Sequence, residues 1–226
     1  MKIKYLMGIL YFVALAACKK TEKNNTLSRG DKYLTTSAGS TWSYHQIDSS
    51  GASPVNSDYA ITSSSQDTSI NGKSYHIYNN STGGNQYLAL IENNYYQFDS
   101  LPAGFGVGVF ERLYLKDSAY VGTSWNQTQN VSVTGIPFPV PVTISYNITE
   151  RDISRIVNSV NYSNVIHVSA TISSSLIPAA SLVTSLNSYY APKYGLIESN
   201  TKINLDYMGL VENVKISLKL IDANLL

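Results

Sequence analysis

Three segments of the chain alternate between apolar and polar residues with a period of two, and this pattern constrains the fold more than any other feature. The segments are VTISYNIT at 142–149, NVIHVSATI at 164–172 and NVKISLKL at 213–220. Because successive side chains of a β-strand point to opposite faces, each segment presents one apolar and one polar face. Such faces are typical of antiparallel sheets that cover a core with one side only.

The remaining strand signals extend this pattern along most of the chain. SINGKSYHIY at 69–78 predicts a hairpin, because Asn71 and Gly72 suit the positive φ angles of a type I′ turn. Further strands are expected near 41–48, 57–64, 86–92, 94–99, 110–116, 129–135, 151–158 and 195–205. The chain is therefore predicted to be all-β, a long antiparallel meander of roughly a dozen strands that forms a strongly curved sheet or partial barrel.

One segment has the pattern of a helix, SSSLIPAASLVTSLNSYYAP at 173–192. Ser174 or Ser175 would cap it, and Pro178 fits the first turn. Its apolar side would consist of Leu176, Ala180, Val183 and Leu186. An apolar loop is the alternative, so we expect at most one short helix.

The first 17 residues have the features of a secretory signal peptide. Lys2 and Lys4 precede an apolar run at 5–17 that is too short to span a bilayer, which takes about 20 residues. The run ends in LAAC at 15–18, which resembles the lipobox of bacterial lipoproteins, where the signal is cut before a cysteine that then carries lipid. Cys18 is the only cysteine of the chain, so it has no partner for an internal disulfide. An ordinary signal peptide with an incidental cysteine is the alternative.

The lipobox resemblance divides the chain into a signal peptide (1–17), a lipidated flexible tether (18–36) and a single β domain (37–226). The whole chain has a formal net charge of +1, but the part from residue 33 has 9 basic and 13 acidic residues, a net charge of −4. An acidic domain argues against nucleic acid as a partner. The basic tether either lies along an anionic membrane or simply stays soluble. Because Cys18 is not followed by an acidic run, we expect a lipid anchor in the outer membrane, with the domain facing the periplasm.

Three further stretches carry a second resemblance: GSTWSY at 39–44, NYSNVIHV at 161–168 and SYYAPKYGLIES at 188–199. They are similar to a pattern in uncharacterised lipoproteins of Gram-negative bacteria, in which a W-x-Y strand is followed by Y-x-N-V and Y-x-A-P-x-x-G-L. The resemblance implies a strongly curved antiparallel sheet, loosely similar to that of periplasmic carriers of lipoproteins and lipids. It brings no catalytic residues to this chain.

The sequence contains no motif that indicates catalysis, and we expect neither an enzyme nor a bound cofactor or metal. Ser199 and Lys202 match S-x-x-K, but a strand would direct their side chains to opposite faces. His45, His76 and His167 each lack a second metal ligand two or four positions away, and a zinc site needs three or four ligands. These histidines are predicted to face solvent.

The 18 tyrosines are the unusual feature of the composition. They suit half-buried positions of a sheet, or alternatively form a stacking surface for a sugar or another planar ligand. Two glycine- and proline-rich stretches, at 101–110 and 135–142, and the apolar run at 176–187 could enclose an apolar ligand. The residues predicted to contact it are Phe105, Phe110, Phe138, Val140, Leu176 and Leu182.

Two functional hypotheses follow from these patterns. The first is a membrane-anchored binding module for an apolar or lipid-like ligand. The second is a structural or assembly component of a cell-envelope complex, with another envelope protein as its partner and its tyrosine-rich faces as the contact surface.

Overall fold

The structure is a computed structural model that describes residues 32–100, 109–132 and 138–226, without the side chains of 99, 100 and 109. The predicted signal peptide, Cys18 and Phe105 lie outside these residues. Within them, twelve β-strands form nearly all of the regular structure. The strands are β1 (Thr41–Asp48), β2 (Val55–Ile70), β3 (Lys73–Asn80), β4 (Asn85–Ile91), β5 (Asn94–Ser100), β6 (Val109–Lys116), β7 (Ser124–Val131), β8 (Val140–Val157), β9 (Val160–Ser174), β10 (Leu182–Ala191), β11 (Gly195–Tyr207) and β12 (Leu210–Asn224).

The twelve strands belong to one antiparallel sheet with the order β6-β5-β4-β3-β2-β1-β12-β11-β10-β9-β8-β7. The sheet curls until its two edges, β6 and β7, approach each other, which makes a nearly closed barrel. Alternation sets the inward face: Val142, Ile144, Tyr146 and Ile148 of β8 are buried, and the residues between them are more exposed. The predicted all-β meander and its strong curvature are confirmed.

The predicted hairpin turn is present between β2 and β3. Asn71 and Gly72 have φ angles of 53° and 79°, as a type I′ turn requires. The same pair of positive angles occurs at Met208 and Gly209, between β11 and β12, where φ is 51° and 81°. Sequence analysis did not single out that second turn, because methionine gives no turn signal.

The predicted helix at 173–192 is wrong. After β9 the chain makes one short 3₁₀ turn, Ala179–Ser181, and then enters β10, which pairs with β9 on one side and β11 on the other. Pairing on both sides satisfies the backbone hydrogen bonds of β10, and its valine, threonine and tyrosines favour a strand. No helix among the described residues is long and apolar enough to cross a membrane.

The segment before β1 packs inside the barrel. Tyr33 is only 1% exposed; its backbone N–H donates to the Tyr95 hydroxyl at 3.0 Å, and its own hydroxyl donates to the Asn164 carbonyl at 2.7 Å. The Lys193 N–H donates to the Lys32 carbonyl at 2.7 Å, which ties the start of this segment to the β10–β11 turn. Among the described residues, Tyr33 is therefore already part of the packed interior.

Side chains close the seam between β6 and β7. Gln127 of β7 accepts a hydrogen bond from the Leu113 N–H at 2.7 Å, and the Trp125 indole N–H donates to the Leu113 carbonyl at 2.8 Å. The amide nitrogen of Gln127 also donates to the Glu111 carbonyl at 3.4 Å. These contacts satisfy backbone groups that an open sheet edge would leave to another chain.

The tip of the β8–β9 hairpin folds across one end of the barrel. Asn158 donates a side-chain hydrogen bond to the Leu220 carbonyl at 2.7 Å. Arg155 donates to the Glu198 carboxylate at 2.7 Å and places its guanidinium 3.3 Å from the centre of the Tyr189 ring. Burial alone would raise the pKa of Glu198, but the hydrogen bond and charge of Arg155 outweigh it and hold that pKa below its ordinary value of 4.5.

Replacing Gln127 with methionine is expected to destabilise the protein by about 1 to 3 kcal/mol, because the Leu113 N–H loses its acceptor in a part-buried setting. Urea unfolding measures the change. Gln129→Met is the control, since Gln129 lies two residues further along β7 at an exposed position. Equal losses in the two variants would contradict a closing role for Gln127.

Glu198→Gln is expected to lower stability by about 1 kcal/mol at neutral pH. Because the pKa of Glu198 is depressed in the folded state, its contribution is full above the unfolded pKa and is lost as pH falls through the folded value. The difference in unfolding free energy between wild type and variant should therefore decrease at acidic pH, as measured by urea unfolding at several pH values. Glu92→Gln, a change at an exposed position of the β4–β5 turn, is the control. A gap that does not depend on pH would refute the role of this ion pair.

Candidate functional site

The barrel contains a partly open cavity of about 230 Å³ that is lined by eight aromatic side chains. Its aliphatic lining comes from Leu34, Ile61, Leu88, Leu196 and Leu218. Its polar lining includes Gln86, Gln97 and Arg112. Its aromatic lining is Tyr33, Trp42, Tyr44, Tyr59, Tyr78, Tyr114, Tyr190 and Tyr194.

Strand alternation explains why these rings meet. Trp42 and Tyr44 are two positions apart on β1, so both face inward, and Tyr59 is the cross-strand partner of Tyr44 on β2. The Tyr44 and Tyr59 rings stack with their centroids 5.5 Å apart. The W-x-Y pair therefore contributes directly to the wall, as do Tyr190 and Tyr194 from the Y-x-A-P-x-x-G-L stretch.

Hydrogen bonds at the polar tips hold the wall in place. The Tyr44 hydroxyl donates to the Leu196 carbonyl at 2.8 Å, and the Tyr78 hydroxyl donates to the Thr35 carbonyl at 2.7 Å. With the bond from Tyr33 to Asn164, three phenols of the wall bind backbone carbonyls of other segments. These hydrogen bonds fix the positions of the three rings, and such preorganisation would limit the entropy cost of binding a ligand.

The wall phenols of Tyr44, Tyr59, Tyr78 and Tyr190 are neutral at physiological pH. Burial raises the pKa of Tyr59 to about 12 and raises the pKa values of Tyr44 and Tyr78 above their ordinary value of 10. Burial also raises the pKa of Tyr190 to about 12, although the charge of Arg112 opposes it. The same guanidinium opposes the rise in the pKa of Tyr114, so its charge affects the pKa values of two tyrosines of the wall.

Two N–H donors are part of this aromatic wall. Arg112 donates from Nη2 to the Gln97 side-chain carbonyl at 3.0 Å, which orients the guanidinium. Trp42 is 95% buried, and no group among the described residues accepts a hydrogen bond from its indole N–H. A buried donor of this kind costs free energy until an acceptor reaches it.

The residues predicted to contact a ligand lie elsewhere. Val140 and Leu182 pack in the core, and Phe138 and Leu176 are exposed. Phe110 lines a different cavity, of about 440 Å³, beside the β6–β7 seam. Sequence analysis missed the tyrosine-lined cavity because it searched apolar loops, although the tyrosine count and the Trp42–Tyr44 alternation were the available signals.

The histidines are paired with carboxylates on neighbouring strands. His45 contacts Asp58 at 2.6 Å and is partly exposed, but the side chains of His76 and His167 are each only 12% exposed. The prediction that all three face solvent is therefore wrong for two of them, because a hydrogen bond to a carboxylate satisfies an imidazole nitrogen that is largely buried. No cluster of three metal-ligating side chains occurs among the described residues.

His76 has the contacts of a charge-relay histidine. Its Nε2 lies 2.9 Å from the Ser63 hydroxyl, and its Nδ1 lies 2.6 Å from the Asp67 carboxylate. Serine nucleophiles use this arrangement when the hydroxyl is open to a substrate. Ser63 is only 1% exposed and does not line the cavity, so the arrangement fixes the bulge between β2 and β3 instead.

Comparison with known structures finds two crystal structures that are similar to the chain. One is a candidate lipoprotein from Parabacteroides distasonis, with a TM-score of 0.47 and 8% identity over 87% of this chain and 100% of the other. The second is a candidate exported protein of YmcC-like fold from Bacteroides fragilis, with a TM-score of 0.43 and 10% identity over 86% of this chain and 99% of the other. No protein-family model and no curated protein matches the sequence.

Stability is expected to fall steeply as pH rises above 10. The cavity phenols have raised pKa values when folded, so unfolding releases their protons once pH exceeds the unfolded value of 10.0. Urea unfolding between pH 9 and about 12, together with tyrosinate absorbance, measures this linkage. Tyr59→Phe removes one such group and should flatten the decline; an unchanged slope would show that Tyr59 is not held neutral by the fold.

Proposed function

We propose that this chain is a cell-envelope lipoprotein whose barrel binds a small ligand with an aromatic or apolar body. The observation that carries the proposal is the rigid, tyrosine-lined cavity inside the barrel. Aromatic walls bind planar or apolar groups through large contact areas, and fixed polar groups then orient the ligand. We propose that the binding is non-catalytic, and in support of this Ser63 is buried and does not line the cavity.

The size of the cavity restricts the range of apolar or lipid-like ligands that the sequence led us to expect. The volume, about 230 Å³, favours a compact ligand. We therefore propose a small ligand with a short apolar body rather than a long acyl chain.

The anchoring part of the proposal rests on the leader and Cys18. Lipidation there would attach the chain to the outer membrane through residues 18–32, and the domain would face the periplasm. Lys32 lies fourteen positions after Cys18, a length of chain that spans at most about 50 Å when extended. Because Lys32 bonds to Lys193, the barrel end with the β10–β11 turn is the one nearest the anchor.

An assembly role is the second candidate, and the β11–β12 hairpin tip favours it. Met208 and Val211 are 82% and 71% exposed, which leaves two apolar side chains on one projecting turn. A surface of this kind suits contact with another envelope protein. In-cell crosslinking through a photoreactive residue at position 208 tests it: a discrete crosslinked protein supports the role, and a chain that stays uncrosslinked argues against it.

Tryptophan fluorescence tests ligand binding, because the chain has two tryptophans and only Trp42 lines the cavity. In Trp125→Phe, the emission of Trp42 is expected to change in a saturable way on titration with phenylacetate or phenylacetamide. In Trp42→Phe, the remaining Trp125 stacks on Tyr146 in the core and should not respond.

Urea unfolding of both variants checks that they are folded. Native mass spectrometry of the protein purified from an exporting host gives a second readout, since a co-purified small molecule would appear as added mass. The proposal fails if no aromatic probe changes Trp42 emission and the folded protein carries no added mass.

A further inference from the structure

We infer that the cavity takes ligands whose head group is an uncharged oxygen, a carbonyl or a hydroxyl, and that the Tyr114 hydroxyl binds that oxygen. The inference rests on the proposed ligand binding and adds the chemical class of the ligand and the residue that selects it. Three observations point to it: the hydroxyl of Tyr114, the amide of Gln97 and the bonding of Arg112.

The hydroxyl of Tyr114 is buried in the cavity wall without a partner in the protein. Tyr114 is only 8% exposed and lines the cavity, and no described residue forms a hydrogen bond with its hydroxyl. The neighbouring Tyr95 differs, because its hydroxyl donates to the Asp117 carboxylate at 2.6 Å. A buried hydroxyl that the protein leaves unpaired gains free energy when a bound molecule pairs with it.

This hydroxyl faces the cavity in a fixed position. The Tyr190 ring packs on the Tyr114 ring with the centroids 5.4 Å apart. Tyr190, Tyr78 and Arg112 all interact electrostatically with the Tyr114 phenol, and all three line the cavity. Unlike the indole nitrogen of Trp42, which is sealed from solvent, the phenol oxygen keeps an accessible surface. Burial raises the pKa of Tyr114 well above its ordinary value of 10.0, so the hydroxyl is a neutral donor and acceptor.

Gln97 provides a second uncharged group next to Tyr114. Arg112 lies opposite Gln97 on β6, and Tyr114 is two residues further along the same strand. A guanidinium can only donate, so the side-chain oxygen of Gln97 faces Arg112 at 3.0 Å, and its NH₂ group remains for another acceptor. No described residue accepts from that NH₂ group. Because an uncharged oxygen has two lone pairs, one ligand oxygen can accept from both Tyr114 and Gln97.

The bonding of Arg112 disfavours an ionic head group. Among the described residues that line the cavity, Arg112 is the only charged side chain, and it already has partners within the protein. Burying a carboxylate or an ammonium group without a free counter-charge costs far more than burying a carbonyl or a hydroxyl. An uncharged oxygen therefore makes the same hydrogen bonds to the wall at a lower desolvation cost.

Urea unfolding of Tyr114→Phe tests whether the hydroxyl is free of the protein. The variant is expected to be as stable as the wild type, because the substitution removes no hydrogen bond of the unliganded protein. Tyr78→Phe is the comparison: it removes the bond to the Thr35 carbonyl and should lower the unfolding midpoint. Equal losses in the two variants would show that the Tyr114 hydroxyl is bonded within the protein and would overturn the inference.

Isothermal titration calorimetry with phenylacetamide, phenylacetate and ethylbenzene tests the ligand class. The wild type is expected to bind phenylacetamide about tenfold tighter than phenylacetate, because burying the carboxylate costs more. In Tyr114→Phe, the affinity for phenylacetamide should fall about fivefold, and the affinity for ethylbenzene, which has no oxygen, should not fall. Tyr120→Phe removes a hydroxyl at a position that is 83% exposed, so this matched control should leave all three affinities unchanged.

The outcomes distinguish the inference from the proposal beneath it. Phenylacetate that binds as tightly as phenylacetamide would overturn the preference for an uncharged oxygen. A phenylacetamide affinity that is unchanged in Tyr114→Phe would overturn the role of Tyr114, and in both cases ligand binding stands. If none of the three probes binds to the wild type, ligand binding in this cavity fails as well.

Discussion

The interior of a twelve-stranded barrel is wider than aliphatic side chains alone can fill, and the rest of the structure follows from that constraint. Eight strands already give an interior that side chains just fill, and the diameter grows with strand number. Here tyrosine and tryptophan rings reach inward from many strands, the segment around Tyr33 runs inside, and the β8–β9 tip folds across one end. The cavity is the space that remains between the aromatic rings, the Tyr33 segment and the β8–β9 tip.

The need to fill the interior of the barrel explains the large tyrosine content. Each ring brings a large apolar surface to the interior, and its hydroxyl must find an acceptor there. Backbone carbonyls of crossing segments provide the acceptors for Tyr33, Tyr44 and Tyr78. Each such bond also joins parts of the chain that are distant in sequence, so the same residues fill the barrel and fix its shape.

Much of the fold was predictable from the sequence because alternation is a local signal. Strands at 41–48, 94–99 and 213–220, and the turn at Asn71, depend on residues next to one another in the chain. The strand β10 was mistaken for a helix because its strand pairing comes from β9 and β11, which a local pattern does not reveal. The cavity was missed for a similar reason: its wall joins Tyr33, Arg112 and Tyr190, which only the closed sheet brings together.

Under the proposed anchoring, the segment that contains Tyr33 would connect the tether to the cavity wall. A pull on the tether would be resisted first by the hydrogen bond between Lys32 and Lys193, and then by the bonds from Tyr33 to Tyr95 and Asn164. Moving Tyr33 would remove one side of the cavity, and a bound ligand would oppose that movement. If the chain is anchored and binds a ligand as proposed, the pull on the tether and the occupancy of the cavity would be linked, and by reciprocity each would change the other.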